Sequence, residues 1–249
     1  MSFDGTLIET AVKEWDFFGK DEGSSDKFVK VNGVNKRKET VKPFEDRVAD
    51  YWLSIPQADY KRLMEAFDPP SGRLDGTLDI AWSAAFISYC MKTAGAGTDF
   101  PFSSGHATWI IKSIKNRKAG RLAAPLVGYK PGEMEVKLGD LVGNPRESGV
   151  TYDNAASKGW FLSHTDIVVH IDRAAKKVFT LGGNVGQSVG RKTFSLTDLG
   201  ALASGSGLMV HIINNIAGTR AMRTKGIKGA KAIKAVKPTK KLEKELKVG

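Results

Sequence analysis

The chain has 249 residues, 41% hydrophobic and 26% charged, which fits one globular domain with appendages. Its net charge of +11 is concentrated from Arg220 onward, where eleven basic residues stand against two acidic ones, so the rest of the chain carries only +2. The single cysteine excludes an internal disulfide, no apolar run approaches the roughly 20 residues that cross a bilayer, and the N-terminus has no Sec-type signal, so we expect synthesis in the cytoplasm.

The first half of the chain is predicted to be mainly helical, because apolar residues recur there at helical spacing. The alanine-rich segment at 81–95 is the clearest of these helices, and the Gly/Ser/Lys-rich stretch 20–40 is typical of a loop. The predicted helices are 7–19, 44–55, 58–67, 81–95 and 103–116.

The second half changes to short apolar and β-branched runs, which predict strands. A tight connection at 172–176 indicates an antiparallel hairpin between two of them. The predicted strands are 139–143, 164–172, 176–186 and 207–216. Helices followed by such strands predict an α+β fold, with the helices packed on one face of an antiparallel sheet.

The C-terminal tail has a lysine at every third position from Lys225 to Lys240. A step of three residues rotates by about 300° around a helix, so these lysines leave no apolar face. We expect the tail to be disordered when free and to bind an anionic polymer, such as nucleic acid or an acidic wall polymer, through Lys225–Lys247. A solubilising extension is the alternative.

Four motifs in the body occur in a fixed order and carry a family resemblance. They are AWSAAFIS at 81–88, GDLV at 139–142, SHTDIVV at 163–169 and LGGNVGQSV at 181–189. With the N-terminal segments EWDFFG and RVADYW, they resemble a bacterial domain-of-unknown-function family, family 2272. They are also similar to the papain-like cell-wall amidohydrolases of the NlpC and CHAP kind. The resemblance covers roughly residues 7 to 213.

The resemblance implies a papain-like domain with a nucleophile at the start of a helix. It divides the chain into an N-terminal helical part at 1–70, a papain-like core at 71–216 and the Lys-rich tail at 217–249. In the amidohydrolases a cysteine is the nucleophile, a histidine on the next strand is the base, and a polar residue on the following strand orients that histidine. The positions that match here are Ser83, His164 and Asn184, with Trp82 and Gly183 as substrate-binding residues.

The serine changes the chemistry that this site requires. A cysteine thiol ionises readily beside a histidine, whereas a serine hydroxyl must lose its proton during the attack to a well-aligned base. Cys90 cannot replace it, because seven residues of helix place it about 10 Å away.

Two further residues are candidates for the site, and His106, in the helix after the nucleophile helix, is an alternative base. Asp166 shares a strand face with His164 and could polarise a neighbouring group. The spacing of these three residues is not a metal signature, so we predict no metal and no cofactor.

Two functions of different class remain open from the sequence. The first is a peptidoglycan-directed amide hydrolase, or a related acyl-transfer enzyme, that uses Ser83. The second is a catalytically silent papain-like module for binding or assembly in a phage particle or secretion system. Either would require release, delivery to the envelope or incorporation into a virion.

Overall fold

In the computed structural model, which describes residues 2–205 and 207–219, helices pack against one face of a seven-stranded sheet. The α-helices are Phe3–Phe17 (α1), Phe44–Trp52 (α2), Gln57–Phe67 (α3), Ser83–Thr93 (α4), Ala107–Lys118 (α5) and Tyr152–Lys158 (α6). The strands are Asp21–Glu22 (β1), Phe28–Val31 (β2), Val34–Arg37 (β3), Leu126–Tyr129 (β4), Leu141–Pro145 (β5), Ser163–Asp172 (β6), Lys177–Gly182 (β7), Gly190–Ser195 (β8) and Val210–Asn214 (β9). The predicted α+β class is confirmed.

The large sheet has the strand order β1-β8-β7-β6-β5-β9-β4. Its pairings are antiparallel except for β1 with β8, and the predicted hairpin between β6 and β7 is present. Strands β2 and β3 form a separate two-stranded sheet. No helix in the described part of the chain is both long and apolar enough to cross a membrane.

The alternation of side chains along β6 divides the interior into two layers. Ile167 and Val169 belong to the main core, together with residues of α1, α2, α4 and α5. Val168 points to the opposite face and packs in a smaller cluster with Val142 and Val178. Because alternate residues of a strand face opposite sides, this assignment determines where the polar residues at the start of β6 project.

The N-terminal segment contributes to the same core as the motifs. Trp15 of α1 is buried, and its indole N–H donates to the Asp21 backbone oxygen at 2.8 Å. Strand β1 pairs with β8 at the edge of the large sheet. The helical part at 1–70 and the segment at 71–216 are therefore packed around one hydrophobic core.

Several elements were not predicted from the sequence. The expected loop at 20–40 contains the β2–β3 hairpin, whose turn at Asn32 and Gly33 has positive φ at both residues. An Asn-Gly pair is a strong hairpin signal, but the exposed strands lack the alternating apolar pattern that predicts a strand. Strands β4 and β8 and helix α6 were also missed. The tail prediction concerns residues that lie outside the described ones.

Asp4, in the first turn of α1, has a raised pKa, so its ionisation makes the stability of the protein depend on pH. Burial, with a contribution from the nearby Asp140 charge, raises the pKa of Asp4 to about 6. A carboxyl group whose pKa is higher in the folded state costs stability as the pH rises above its unfolded value, and the full cost is reached above the folded pKa. We expect Asp4→Asn to raise the free energy of unfolding by about 1–2 kcal/mol at pH 8 after allowance for solvent screening, and by much less at pH 4.

Urea unfolding at the two pH values measures this difference. Asp153→Asn is the control, since Asp153 occupies the first turn of α6 but its side chain is 71% exposed. That variant should change stability by at most a few tenths of a kcal/mol. If Asp4→Asn raised the free energy of unfolding equally at both pH values, the raised pKa of Asp4 would be contradicted.

Candidate functional site

Ser83 is the first residue of α4, at the start of the helix that carries the motif AWSAAFIS. The preceding Trp82 is fixed in the core, because its indole N–H donates to Glu39 Oε2 at 2.6 Å and its ring stacks on Phe18. The first backbone N–H groups of an α-helix have no acceptor within the helix. The Ser83 hydroxyl therefore lies where unpaired N–H groups and the positive end of the helix dipole favour negative charge.

His106 is the direct partner of Ser83. Its Nε2 lies 2.7 Å from Ser83 Oγ, and it stands immediately before the first residue of α5. Both side chains are largely buried, with 6% of Ser83 and 3% of His106 exposed. The edge of the imidazole packs against the ring of Trp109, one turn into α5. The loop-to-helix junction thus fixes the imidazole against the start of α4.

Thr165 completes this chain of hydrogen bonds. Its Oγ1 lies 2.8 Å from His106 Nδ1 and accepts a hydrogen bond from the Trp109 indole N–H at 3.2 Å. A neutral imidazole carries one proton, so two tautomers fit these distances. With the proton on Nδ1, His106 donates to Thr165 and can accept the Ser83 hydroxyl proton at Nε2. With the proton on Nε2, Thr165 donates to Nδ1 and Ser83 becomes the acceptor.

The environment keeps His106 neutral. Burial lowers the pKa of His106 well below its usual value, and the nearby His164, Lys192 and Arg146 act in the same direction. Asp166 opposes them without reversing the shift. A histidine with a lowered pKa stays unprotonated through neutral and mildly acidic pH, so a nitrogen lone pair is available there.

A second polar chain begins beside the first. His164 Nε2 lies 2.9 Å from Asp166 Oδ1, and the Lys192 ammonium lies 2.6 Å from Asp166 Oδ2. The ring centroids of His164 and His106 are 5.3 Å apart. Burial alone would raise the pKa of Asp166, but Lys192 and His164 more than offset it and lower that pKa below its usual value. Asp166 is therefore an ionised carboxylate with two partners.

The carboxylate determines which nitrogen of His164 carries the proton. An ionised carboxylate only accepts hydrogen bonds, so Nε2 is the protonated nitrogen and Nδ1 keeps a lone pair. Burial lowers the pKa of His164, although contact with Asp166 works against this. A Cβ at Gly182 would collide with Asp166 Oδ1, so only glycine fits beside this pair.

The comparisons with known proteins identify the family but no activity. The model of a family described as "Uncharacterized protein conserved in bacteria (DUF2272)" matches residues 40–216. The chain belongs to this family. No curated protein and no solved structure matches the chain. The matched region of this DUF2272 protein contains Ser83 and both histidine networks, whereas α1 and the β2–β3 hairpin precede it.

One geometric expectation for this DUF2272 site needs correction. His164 was expected to face Ser83, with His106 as the alternative base, and the imidazole bonded to Ser83 is that of the alternative, His106. The reason is strand parity. Thr165 lies on the helix-facing side of β6 with Ile167, so His164 and Asp166 project from the other side. The two imidazoles still come close, with ring centroids 5.3 Å apart, since His164 is the second residue of β6.

The remaining predicted residues have other surroundings. Asn184 was expected to orient His164, but it lies in the turn after β7 with φ of +51°, and Asp166 holds Nε2 of His164 instead. Trp82 is only 1% exposed, so it does not line a groove as a substrate-binding residue would. Gly183 is a packing position, since a Cβ there would come within 2.7 Å of the Trp82 ring and within 2.5 Å of Phe86.

Thr165 and Lys192 belong to the networks but were not predicted from the sequence. Thr165 lies between His164 and Asp166, and the parity of an apolar strand already places it on the side of Ile167. Lys192 belongs to β8, a strand that was not predicted. Within residues 2–205 and 207–219, no group of three or more His, Cys, Asp or Glu side chains is arranged to hold a metal ion.

Proposed function

We propose that this protein is a serine-dependent amide hydrolase of peptidoglycan, built on a papain-like arrangement, with Ser83 as nucleophile and His106 as base. The observation that carries the proposal is the 2.7 Å contact between Ser83 Oγ and His106 Nε2 at the start of α4. A nucleophile within hydrogen-bond reach of a base, itself held by a third group, is the arrangement that activates a hydroxyl. The choice of peptidoglycan rests on the similarity of the motifs to cell-wall amidohydrolases.

The chemistry follows in two halves. As Ser83 Oγ bonds to the substrate carbonyl carbon, its proton passes to His106 Nε2, and the N–H groups at the start of α4 stabilise the negative oxygen. His106 then gives that proton to the leaving amine while the C–N bond breaks, which leaves an acyl ester on Ser83. Water attacks the ester with His106 again as base, and His106 returns that proton to Ser83 Oγ as the ester C–O bond breaks and the acid product leaves.

Thr165 has the role of an orienting residue in this scheme. The reaction needs the His106 tautomer with the proton on Nδ1, which donates to Thr165 Oγ1 at 2.8 Å. The base thus comes from a helix, whereas the papain-like amidohydrolases supply it from a strand. His164 is the neighbouring imidazole; burial lowers its pKa, and its contact with Asp166 holds the ring in place.

The two histidines are expected to differ in their effects on catalysis. His106→Ala should lower kcat by about 10²-fold or more, because the direct proton acceptor is lost. His164→Ala should have a smaller effect on kcat, since the Ser83–His106 contact stays. Release of soluble muropeptides, followed over time for both variants at pH 7.5, measures the difference. A larger loss of kcat for His164→Ala than for His106→Ala would indicate that His164 is the base, as the motif resemblance implied.

The function itself is tested by incubating the protein with purified peptidoglycan. New amine and carboxyl ends in the released fragments, identified by mass spectrometry, are the expected result. Because His106 is neutral well below pH 6.5, activity should persist in mildly acidic buffer. Sacculi that stay intact across pH 5.5–8.5 would contradict the proposal.

A silent binding or assembly module is the second candidate, and the hydrogen bonds of the Thr165 hydroxyl favour it. The Trp109 indole can only donate, so the Thr165 hydroxyl satisfies its own proton best by donating to His106 Nδ1. That tautomer makes Ser83 an acceptor, and it leaves no base for the hydroxyl. Unchanged biological activity of Ser83→Ala would support this candidate.

A further inference from the structure

Arg146 follows β5 next to the two histidines. In the antiparallel pairing of β5 with β6, Asn144 lies opposite His164 and Pro145 lies opposite Ser163. The pairing continues one step further, because the Arg146 N–H donates to the Leu162 carbonyl oxygen at 2.8 Å. Alternate residues share a face, so Arg146 extends from the same side of the sheet as Asn144, the residue opposite His164.

The charge of Arg146 is not neutralised by the protein. Across residues 2–205 and 207–219, no acidic side chain forms an ion pair with Arg146, and the residue is exposed. Glu147, the next residue in the sequence, instead uses its carboxylate to accept a hydrogen bond from the Leu162 N–H at 2.9 Å. Lys192, by contrast, forms an ion pair with Asp166. The positive charge of Arg146 also contributes to the lowered pKa values of both histidines, which indicates that it lies near them.

Trp160 adds an apolar surface next to the start of α5. Its side chain is 61% exposed, and its ring lies against Gly105, where an added Cβ would be 3.1 Å from the indole nitrogen. Gly105 directly precedes His106. Leu162, the residue whose carbonyl holds Arg146, is 53% exposed. The exposed ring of Trp160 thus lies next to the residue before His106, and the guanidinium of Arg146 and the side chain of Leu162 belong to neighbouring chain segments at the start of β6.

We propose that Arg146 and Trp160 form a binding site for a peptide that ends in a free carboxylate. A guanidinium matches a carboxylate with two parallel hydrogen bonds, which gives geometric selectivity as well as charge attraction. The exposed indole offers a rigid surface for the apolar part of the peptide. The inference deepens the proposed function, because it selects substrates with a carboxylate near the bond that Ser83 attacks.

The experiment measures binding in Ser83→Ala protein, so that it does not depend on hydrolysis. The probes are N-acetyl-D-alanyl-D-alanine and its C-terminal amide, and the readout is the Trp160 indole N–H resonance, assigned by comparison with Trp160→Phe. We expect the carboxylate form to bind at least about tenfold more tightly than the amide, which corresponds to about 1.4 kcal/mol. Arg146→Ala should reduce that ratio to below twofold.

Arg121→Ala is the matched control, because Arg121 is an exposed arginine beyond the other end of α5, a helix that spans about 18 Å. It should leave the ratio unchanged. Trp160→Ala, in which binding is measured by calorimetry because the indole resonance is lost, should weaken both probes by a similar factor. Equal affinity for the acid and the amide would overturn the inference, as would an unchanged ratio in Arg146→Ala. Inorganic phosphate displacing the peptide at equal concentration would do the same, because it would indicate a simple anion site.

Discussion

Ser83→Ala is expected to lower the rate of peptidoglycan hydrolysis by at least about 10⁴-fold, to the background level. Removing the hydroxyl deletes the atom that forms the acyl bond, and the other hydroxyl at His106, that of Thr165, contacts Nδ1 and not the Nε2 that acts as base. The fold should be kept, because the hydroxyl is bonded only to that imidazole. Time courses of fragment release by the variant and the wild-type protein measure the effect, and thermal unfolding curves verify that both are folded.

Ser88→Ala provides a control on the same helix. Ser88 is fully buried and donates to the Ser103 carbonyl oxygen at 3.2 Å, without contact to either histidine. Its replacement should cost stability, about 1 kcal/mol for the lost hydrogen bond, but it should leave kcat within a factor of a few. Equal hydrolysis by wild-type protein and Ser83→Ala would remove Ser83 from the mechanism and favour the binding module.

The elements that were predicted correctly have strong local signals. Helix α4 combines alanine-rich composition with a run of apolar residues, and β6 is long and β-branched. These two elements carry Ser83 and the pair His164–Asp166. The local sequence pattern was therefore sufficient to place these three residues on their helix and strand. The parity of β6 also predicted that His164 and Asp166 share a face, which their 2.9 Å contact confirms.

The pairing of the site residues could not be predicted in the same way. Which histidine reaches Ser83 depends on how α5 packs against β6, and this is a tertiary property that no local pattern encodes. The motif resemblance pointed to the strand histidine, and the packing placed the helix histidine there instead. Lys192 could not be placed for a different reason: β8 has charged residues at a buried and a half-buried position, Arg191 and Lys192, which hides the strand pattern.

Glu14→Ala is expected to reduce the free energy of unfolding by about 3–5 kcal/mol, which is a large share of the stability of a typical domain. Glu14 is 2% exposed, and its carboxylate accepts two hydrogen bonds from Arg47, at 2.6 and 2.7 Å. The Tyr51 hydroxyl donates a third, at 2.6 Å. Alanine would leave a partly buried guanidinium and a buried phenol without their acceptor.

Glu9→Ala is the control, since Glu9 lies on the same helix in a surface pair with Lys13. It should cost no more than about 0.5 kcal/mol. Urea unfolding monitored by tryptophan fluorescence compares the variants. Adding Arg47→Met to Glu14→Ala should recover part of the loss, because the uncompensated charge is then removed. A cost for Glu14→Ala of less than about 1 kcal/mol would show that this pair does not hold α1 in place.

The same pair links the N-terminal helix to the candidate site. Tyr51 packs its ring against Trp82 and Phe86, with centroids 5.6 and 5.5 Å away, and Trp82 directly precedes Ser83. The segment that matches the family model begins after α1, so a fragment of residues 40–216 would keep Arg47 and Tyr51 but lose Glu14. We therefore expect that fragment to unfold at lower urea concentration than the full chain and to lose the Ser83–His106 contact with it, which makes α1 a structural requirement of the site.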